Sequence, residues 1–356
     1  MSTDDDTENE SMRASALTDV GEIETERRPR PEISADDVLV RVGACGVCMT
    51  DYHMYHGSFE VETPLVLGHE SAGEVAAIGE NVTAVEVGDR VAINPIVPCD
   101  VCSPCRRGET NLCVDNTSIG GAGETIRDGS FAEYVAVPSK VVADIGDLPI
   151  RRAALTEPLA CCIRAVDRAA ITTGDTVAII GAGPIGLLLL QTFRASGAGT
   201  IVVSELDSDR RELALELGAD HVVDPEAGDP IEEVTAIDGP VNVAAEVVGR
   251  VPTIEQAHAM TARGGRTLIV GVPPQDATME VSPFDIYFDE IDLVGTFALT
   301  SETFERAVTF LRNGRVNVEP LISEELGLDD LTTAFDRMER TQGLKKLIVP
   351  DGSDGE

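Results

Sequence analysis

The order of apolar and polar positions divides the chain into two unlike parts. Up to about residue 144, short apolar stretches alternate with glycine-containing turns, a pattern that is typical of β-strands. The clearest of these predicted strands are residues 38–42, 73–78, 87–93 and 131–137. The first part is therefore predicted to be mainly β-structure, and it also holds six of the eight cysteines.

After residue 150, apolar runs alternate with segments of helical length. Further strands are predicted at residues 176–180, 201–203, 221–223, 241–247, 266–270 and 291–295. Six such runs separated by helices predict an α/β fold with a doubly wound parallel sheet. Two more helices are predicted near 302–313 and 329–340, and an apolar run at 344–349 ends the pattern.

Length and charge narrow the class of protein. A chain of 356 residues can hold two domains. Its net charge of −36 repels phosphate groups, which disfavours nucleic acid or anionic lipid as a partner. No apolar run reaches the roughly 18 residues of a membrane span, and the N-terminus lacks the basic start of a signal peptide. We expect a soluble cytoplasmic protein with an acidic disordered tail at residues 1–13. The excess of acid also predicts a halophilic protein, because molar salt screens self-repulsion.

A glycine-rich turn follows the predicted strand at 176–180 and precedes a helical run. Its first glycine permits the tight turn, its second lets a pyrophosphate approach the backbone, and its third lets helix and strand pack closely. The predicted cofactor-binding residues of this turn are Gly181, Gly183, Pro184, Ile185 and Gly186. Because the helix N-terminus faces the phosphates, the segment predicts a dinucleotide site.

Glu205 lies just after the next predicted strand. An acid at this place accepts hydrogen bonds from an adenosine ribose and repels a 2′-phosphate, which favours NAD over NADP. Arg210 and Arg211 lie close enough to soften that preference, and Arg210 is a further candidate for cofactor binding.

Four cysteines lie in a lobe of about residues 95–115 with the spacing C-x2-C-x2-C-x7-C. They are Cys99, Cys102, Cys105 and Cys113. This spacing lets four thiolates converge on one tetrahedral ion, and a closed four-thiolate site is typical of structural zinc. Disulfides are the competing use, but a chain without a secretory signal keeps its thiols reduced. We predict structural zinc here, with no position open for catalysis.

A second set of candidate metal ligands and proton carriers is dispersed along the chain. It consists of Cys48, Thr50, Asp51, His53, His69, Glu70 and Glu157. Taken singly, each residue has an ordinary structural explanation, such as a buried thiol, a core histidine or a helix-start acid.

Taken together, the motifs resemble the zinc-dependent medium-chain alcohol dehydrogenases, a family that includes sorbitol, threonine and butanediol dehydrogenases. The resemblance spans roughly residues 14–349 and rests on G-V-C-x-T-D-x-H at 46–53 and G-H-E-x2-G-x5-G-x2-V at 68–82. The cysteine lobe and the glycine-rich turn follow in the family's order. Since several independent motifs agree, the chain is identified as a member of this family.

The resemblance implies a catalytic zinc held by Cys48, His69 and Glu157. Glu157 begins an E-P-L segment, which supplies the third ligand in the sorbitol dehydrogenase-like branch. Other branches use a cysteine in this region, so Cys161 and Cys162 are the alternatives to Glu157.

Cys45 competes with Cys48 for the first ligand position. Cys48 is preferred because Thr50 and Asp51 stand after it where the family carries a hydroxyl relay and an acid that orients a ligand. Cys45 is then a packing residue. Glu70 matches a family residue that lies close to the metal and can ligate it intermittently.

The implied reaction needs an open metal position, a nicotinamide and a path for one proton. Zinc acts as a Lewis acid toward the alcohol oxygen, and hydride passes to the nicotinamide. Thr50 takes the hydroxyl proton and passes it, through the cofactor ribose and water, toward His53, whose ordinary pKa of about 6.5 suits a proton exit. Asp51 orients a metal ligand.

In architecture, the resemblance implies a GroES-like catalytic domain formed by residues 14–152 and 297–356, with a Rossmann domain, 153–296, inserted and the site in the cleft. A homo-oligomer, dimer or tetramer, is expected. Glu157 favours a polyol or secondary alcohol as the small-molecule substrate, with threonine or a sugar as alternatives. An inactive NAD-binding redox sensor is the alternative of another class, and such a protein is expected to lack at least one metal ligand.

Overall fold

The computed structural model describes residues 11–350, which form two compact units. The first unit comprises residues 11–157, Thr300–Asn313 and 318–350. The second comprises Pro158–Leu299 and Gly314–Asn317. The chain thus enters the second unit after residue 157 rather than after the predicted 152, and it leaves near the predicted 297. The short return of the chain to the second unit at Gly314–Asn317 was not predicted.

The N-terminal strand begins earlier than expected, at Ser11, which corrects the predicted tail of 13 residues. Met12 is 5% exposed, and the backbone N–H of Arg13 donates to the Glu133 carboxylate at 2.8 Å. Core packing and a long-range hydrogen bond therefore hold these residues in the sheet. The rest of the predicted tail, residues 1–10, lies outside the described residues.

Strands predominate in the first unit, and strands alternate with helices in the second. The strands are β1 (Ser11–Asp19), β2 (Glu22–Pro29), β3 (Asp37–Gly46), β4 (Leu65–Val66), β5 (Glu70–Ile78), β6 (Arg90–Ile93), β7 (Ile96–Val97), β8 (Thr117–Ile119), β9 (Thr125–Arg127), β10 (Tyr134–Pro138), β11 (Val142–Asp144), β12 (Thr176–Ile180), β13 (Thr200–Ser204), β14 (His221–Val223), β15 (Val241–Glu246), β16 (Thr261–Ile269), β17 (Asp292–Gly295), β18 (Ile322–Leu326) and β19 (Lys345–Ile348).

The α-helices are α1 (Met49–Tyr55), α2 (Ser103–Arg106), α3 (Ile150–Ala153), α4 (Thr156–Ala169), α5 (Pro184–Ala195), α6 (Ser208–Glu216), α7 (Pro230–Asp238), α8 (Val251–Met260), α9 (Pro283–Asp289), α10 (Ser301–Arg312) and α11 (Leu331–Glu339). Short 3-10 turns lie at Thr110–Leu112, Ser139–Val141, Glu319–Leu321 and Leu328–Asp330. Within residues 11–350, no helix has the length and apolar character needed to cross a membrane.

The main sheet of the first unit has seven strands, in the order β11-β6-β5-β3-β19-β18, with β10 also paired to β3. In strand β3, Val38, Val40 and Val42 lie two positions apart and are at most 1% exposed, whereas Arg41 is exposed. Period-two burial of this kind places one face of the strand against a core. The last strand, β19, runs antiparallel to β3, with Leu347 opposite Gly46, and so lies beside the residues that lead into α1.

The second unit contains a six-stranded parallel sheet in the order β14-β13-β12-β15-β16-β17. All five residues of β12 are buried, as expected for a central strand covered on both faces. The chain runs from β12 outward to β14 and then continues with β15 on the other side of β12. The strand order therefore reverses between β12 and β15, where such sheets bind ligands outside the carboxyl ends of their strands. The predicted fold class, a β-rich domain plus a doubly wound parallel sheet, is confirmed.

Candidate active site and cofactor site

The start of α1 connects two segments that carry candidate metal ligands. The backbone N–H of Cys48, just before α1, donates to Oδ2 of Asp51 at 2.8 Å. Oδ1 of Asp51 accepts from the backbone N–H of Gly68 at 3.2 Å and lies 3.4 Å from Nδ1 of His69. Asp51 is 0% exposed, so one buried carboxylate fixes the positions of both candidate ligands.

Cys48, His69 and Glu70 come together here, with one ligand atom of each within 4.8 Å of the others. Burial alone lowers the pKa of His69, but Asp51 and Cys48 outweigh burial and raise this pKa well above its usual value. The surroundings of the imidazole therefore favour a positive charge. Thiol, imidazole and carboxylate are also donors that zinc takes in catalytic sites, so the residues present fit a zinc ion.

Lys345 forms a buried ion pair at this cluster that the sequence analysis did not predict. Its Nζ lies 2.7 Å from each carboxylate oxygen of Glu70 and 3.2 Å from the backbone oxygen of Val47. Burial alone lowers the pKa of Lys345, but the Glu70 carboxylate and Cys48 outweigh burial and raise it. One signal was available: two of the three lysines of this acidic chain lie in the apolar run at 344–349.

Glu157 lies in the first turn of α4, as the last residue of the first unit before the chain crosses. Among residues 11–350, the group with ligand atoms within 4.8 Å of one another contains Cys48, His69 and Glu70 but not Glu157. The Glu157 carboxylate nevertheless contributes to the raised pKa of Lys345, so its charge acts on the same cluster. Its role as third ligand stays a prediction.

The alternative cysteines have other surroundings. Cys45 is 0% exposed, its Sγ lies 3.7 Å from the backbone oxygen of Gly46, and burial raises the pKa of its thiol well above the usual value. Cys45 therefore packs in the core. Cys161 and Cys162 lie in the part of α4 that belongs to the second unit, and the Cys162 thiol donates to the backbone oxygen of Ile185 at 3.5 Å.

Thr50 and His53, the predicted proton carriers, lie three positions apart on α1 and hence on one helix face. Oγ1 of Thr50 lies 3.7 Å from Sγ of Cys48. The His53 ring packs against Phe59 with ring centroids 5.2 Å apart. Burial, assisted by the neighbouring His56, lowers the pKa of His53. The transfer of a proton between them stays a prediction.

The four cysteines of the predicted zinc lobe converge. The Sγ atoms of Cys99, Cys102, Cys105 and Cys113 all lie within 4.8 Å of one another. Backbone hydrogen bonds from Cys105 and Val114 lower the pKa of Cys102 to about 6, whereas burial raises the pKa of Cys105 to about 12. Four thiols gathered in this way fit a tetrahedral structural zinc.

The glycine-rich turn lies at the carboxyl end of β12, beside the switch point of the sheet. Gly181 has φ +105°, which favours glycine, and a Cβ on Gly186 would lie 2.0 Å from the backbone oxygen of Gly181. Gly183 directly precedes α5, and a Cβ there would meet no atom within 4 Å. Pro184 and Ile185 form the first turn of α5, so its N-terminus opens beside this space.

Glu205 is tied to the same turn. Its Oε2 accepts from the backbone N–H of Ala182 at 2.6 Å, and its Oε1 accepts from that of Asp207 at 3.0 Å. The backbone N–H of Arg210 donates to the Asp207 side chain, while the Arg211 guanidinium donates to the backbone oxygen of Glu205 at 2.7 Å. The acid predicted to face the ribose thus lies next to the predicted phosphate turn.

The chain combines a β-rich unit, which holds a cluster of thiol, imidazole and carboxylate and a four-cysteine lobe, with a doubly wound dinucleotide-binding unit. This combination defines a zinc-dependent, nicotinamide-linked dehydrogenase. Comparison with known families agrees with this class. Residues 34–147 match the alcohol dehydrogenase GroES-like domain, and residues 184–313 match the zinc-binding dehydrogenase domain.

Individual relatives match over nearly the whole chain. The chain is 36% identical to a sorbitol dehydrogenase of Bacillus subtilis, covering 96% of this chain and 98% of the relative. It is 33% identical to an L-threonine 3-dehydrogenase of Bacillus velezensis, covering 90% and 94%. A zinc-binding dehydrogenase of Sinorhizobium meliloti solved with NADP has 38% identity and a TM-score of 0.91, covering 96% and 99%.

The chain therefore belongs to the zinc-dependent medium-chain alcohol dehydrogenase family. It is an oxidoreductase whose family uses zinc and a nicotinamide cofactor. The predicted family and enzyme class are confirmed, and the redox sensor alternative is set aside. Lys345 is the residue at the metal cluster that sequence reasoning missed.

Proposed function

We propose that this protein oxidises a polyol or a secondary alcohol with NAD in a zinc-dependent reaction that gives the ketone or aldehyde. The observation that carries the proposal is the convergence of Cys48, His69 and Glu70 within 4.8 Å beside the buried Asp51. The similarity to a sorbitol dehydrogenase, which covers 98% of that relative, supports a polyol-type substrate.

Cys48, His69 and Glu157 are the proposed ligands of the catalytic zinc. When bound, zinc supplies a Lewis acid at the reacting oxygen. Glu70 has both oxygens bonded to Lys345, which keeps this carboxylate beside the metal position. We expect Glu157→Ala to lose catalytic zinc and Glu70→Gln to retain it. Unchanged zinc content and unchanged rate in Glu157→Ala would move the third-ligand role to Cys161 or Cys162.

Thr50 is the proposed acceptor of the substrate hydroxyl proton, at Oγ1, and His53 receives a proton at a ring nitrogen on its way to solvent. The arrangement on one face of α1 supports this route. The lowered pKa of His53 keeps its ring neutral near pH 7 and so able to accept a proton. Oδ1 of Asp51 lies 3.4 Å from Nδ1 of His69, and Asp51 is the proposed acid that orients this ring as a metal ligand.

We propose two zinc ions per chain, the second in the lobe of Cys99, Cys102, Cys105 and Cys113. The lobe offers four thiols to one ion, and four protein ligands leave no position for a substrate. Its role is therefore structural. Metal analysis of the purified protein tests the number directly, and one zinc per chain would refute this assignment.

NAD is the proposed cofactor in preference to NADP. The Glu205 carboxylate lies at the glycine turn, where a 2′-phosphate would meet a negative charge. Arg210 and Arg211 are close enough to reduce the preference, and the Sinorhizobium meliloti relative was solved with NADP. We expect Glu205→Ala to lower the ratio of kcat/KM with NAD to kcat/KM with NADP. If the ratio stays unchanged, Glu205 does not decide it.

Threonine is the second candidate substrate, because a relative at 33% identity is an L-threonine 3-dehydrogenase. The decisive experiment measures initial rates of NADH formation in molar KCl with added zinc, across polyols, butanediols, simple secondary alcohols, threonine and aldoses. A polyol or secondary alcohol giving the highest kcat/KM supports the proposal. Threonine or an aldose giving the highest value would replace it.

We propose that the protein is a cytoplasmic homo-oligomer in which a second copy covers α9 and β17. Phe284, Tyr287 and Phe288 on α9 are 67%, 81% and 58% exposed. Strand β17 ends the parallel sheet, so its outer backbone edge has no partner strand among residues 11–350. An edge of this kind can pair with its own copy about a two-fold axis. Light scattering in molar KCl should show a dimer or larger, and Tyr287→Glu should shift it toward the monomer.

A further inference from the structure

A buried acid at the end of β15 has no role in the function proposed so far. Glu246 is the last residue of β15 and is 0% exposed. It stands opposite Ile180 in the parallel register, directly before Gly181 begins the glycine turn. Glu246 therefore lies at the carboxyl edge of the sheet, on one of the two strands that border the switch point.

The Glu246 carboxylate closes the turn that follows it. Oε1 accepts from the backbone N–H groups of Val248 and Gly249, each at 2.8 Å. The Thr253 hydroxyl, in the first turn of α8, lies 2.7 Å from the same oxygen and can donate to it. One carboxylate oxygen thus fixes the turn after β15 and ties it to the start of α8.

The turn held in this way packs against the glycine turn. A Cβ on Gly181 would lie 2.9 Å from Cγ2 of Val248 and 3.2 Å from Cγ2 of Val247. The backbone N–H of Val247 also donates to the backbone oxygen of Ile180 at 3.1 Å. Val248 is 46% exposed, so its apolar side chain stands beside Gly181 with a face open to solvent.

The other carboxylate oxygen of Glu246 makes no hydrogen bond within residues 11–350 that would stabilise the fold. Oε2 is buried and has no hydrogen-bond partner among the described residues. It lies 2.9 Å from the place of a Cβ on Gly271, so this close approach depends on a glycine. A buried carboxylate with one unsatisfied oxygen is costly, and an apolar residue at the end of a buried strand avoids that cost. The presence of a glutamate at position 246 is therefore better explained by the turn that it holds in place than by a contribution to the stability of the fold.

We infer that Glu246 is a positioning residue for the dinucleotide: its Oε1 holds the turn at 247–249 so that Val248 forms one wall of the cofactor site. The inference rests on the dinucleotide site of the proposed function. Without the acceptor, the turn is free to move, and cofactor binding has to order it. Affinity for the cofactor then falls while the zinc sites in the first unit are untouched.

The test compares NADH dissociation constants, measured by fluorescence titration in molar KCl, with melting temperature and zinc content. Glu246→Ala removes the acceptor, and Glu246→Gln keeps an acceptor oxygen. Asp220→Ala is the matched control, because Asp220 accepts from the backbone N–H of Ile201 at the opposite, amino-terminal edge of the same sheet. Val248→Ser changes the proposed wall of the cofactor site directly. The side chain of Val248 is half-exposed, so the fold does not require it.

We expect Glu246→Ala to raise the NADH dissociation constant about tenfold or more, with KM for the cofactor rising more than kcat falls. Glu246→Gln should stay within about threefold of wild type, and Asp220→Ala should lower the melting temperature without changing NADH affinity. Wild-type affinity in Glu246→Ala, or equal weakening in the Gln variant, would overturn the inference. If Glu246→Ala does not fold, unchanged affinity in Val248→Ser overturns it. Failure of the wild-type protein to bind either NADH or NADPH would instead reject the proposed dinucleotide site.

Discussion

Nζ of Lys345 lies 2.7 Å from each carboxylate oxygen of Glu70, although 275 residues separate the two in the chain. Gly46 of β3 pairs with Leu347 of β19 on one side and with Glu70 of β5 on the other. A Cβ on Gly46 would lie 2.1 Å from Oε2 of Glu70, so the glycine leaves room for the carboxylate. The sheet thus places a buried cation beside the candidate zinc ligands.

Lys345→Met should destabilise the protein strongly, because it leaves the Glu70 carboxylate buried without its cation. Side-chain exposure is 5% for Lys345 and 1% for Glu70, and breaking such a buried pair costs about 3–5 kcal/mol. Urea unfolding of the zinc-loaded protein in molar KCl measures the change. The double variant Lys345→Met/Glu70→Gln should recover much of the loss, since no unpaired charge remains. A single variant as stable as wild type would contradict the pairing.

Cys48→Ser should remove most of the turnover and leave NADH binding and the fold largely intact. Loss of a residue that only supports a metal ligand costs about 10- to 100-fold, so loss of a ligand should lower kcat by more than about 100-fold. Zinc content should fall by one ion per chain. Cys45→Ser is the control, since Cys45 packs in the core, and its zinc content should stay unchanged. The reverse result would assign the ligand role to Cys45.

Cys102→Ser should unfold the cysteine lobe locally before it affects the chemistry. The remaining thiols, Cys99, Cys105 and Cys113, cannot complete a tetrahedral four-thiolate site, so this zinc is expected to be lost. Limited proteolysis should cut first near residues 99–113, and metal analysis should find one zinc fewer. Retention of both the zinc and protease resistance would show that the lobe does not depend on the metal.

The acidic limb of the pH–rate profile should lie below pH 6.5, the ordinary pKa of histidine, because burial and His56 lower the pKa of His53. His53 then stays neutral, and able to accept a proton, down to a lower pH than an ordinary histidine does. A folded pKa below the unfolded value also means that stability associated with His53 is present above pH 6.5 and is lost as pH falls through the folded pKa.

His53→Asn should lower kcat and remove that acidic limb. Zinc content measured at each pH is the necessary control, because protonation of the metal ligands also lowers the rate at acidic pH. A limb that persists unchanged in His53→Asn would exclude this residue from the proton route.

Dialysis from molar KCl into dilute buffer should lower both activity and compactness. The chain carries a net charge of −36, and the screening length grows from about 3 Å at 1 M salt to about 30 Å at 0.01 M. Repulsion between acidic side chains then acts across the molecule. Small-angle scattering and initial rates measured across a KCl series test this, and full activity at low salt would refute salt adaptation.

Local spacing determined much of the site in advance. The intervals between Cys99, Cys102, Cys105 and Cys113 are short enough for loop geometry to bring the thiols together, and the structure does so. The glycine turn at 181–186 was equally predictable from the sequence, because its conformation depends on glycines at fixed offsets after a strand. The short apolar runs likewise predicted the strands of both sheets, since strands that pack against a core carry apolar side chains.

Tertiary structure decided the contacts between residues that are far apart in sequence. The pairing of Lys345 with Glu70 depends on β19 lying next to β3, and nothing local to the run at 344–349 specifies that neighbour. The hydrogen bonds of Glu246 depend on a turn closing over the end of its own strand at the sheet's switch point. A buried charge is tolerated only where partners from other segments meet it, so its role is defined by the assembled fold and not by its place in the sequence.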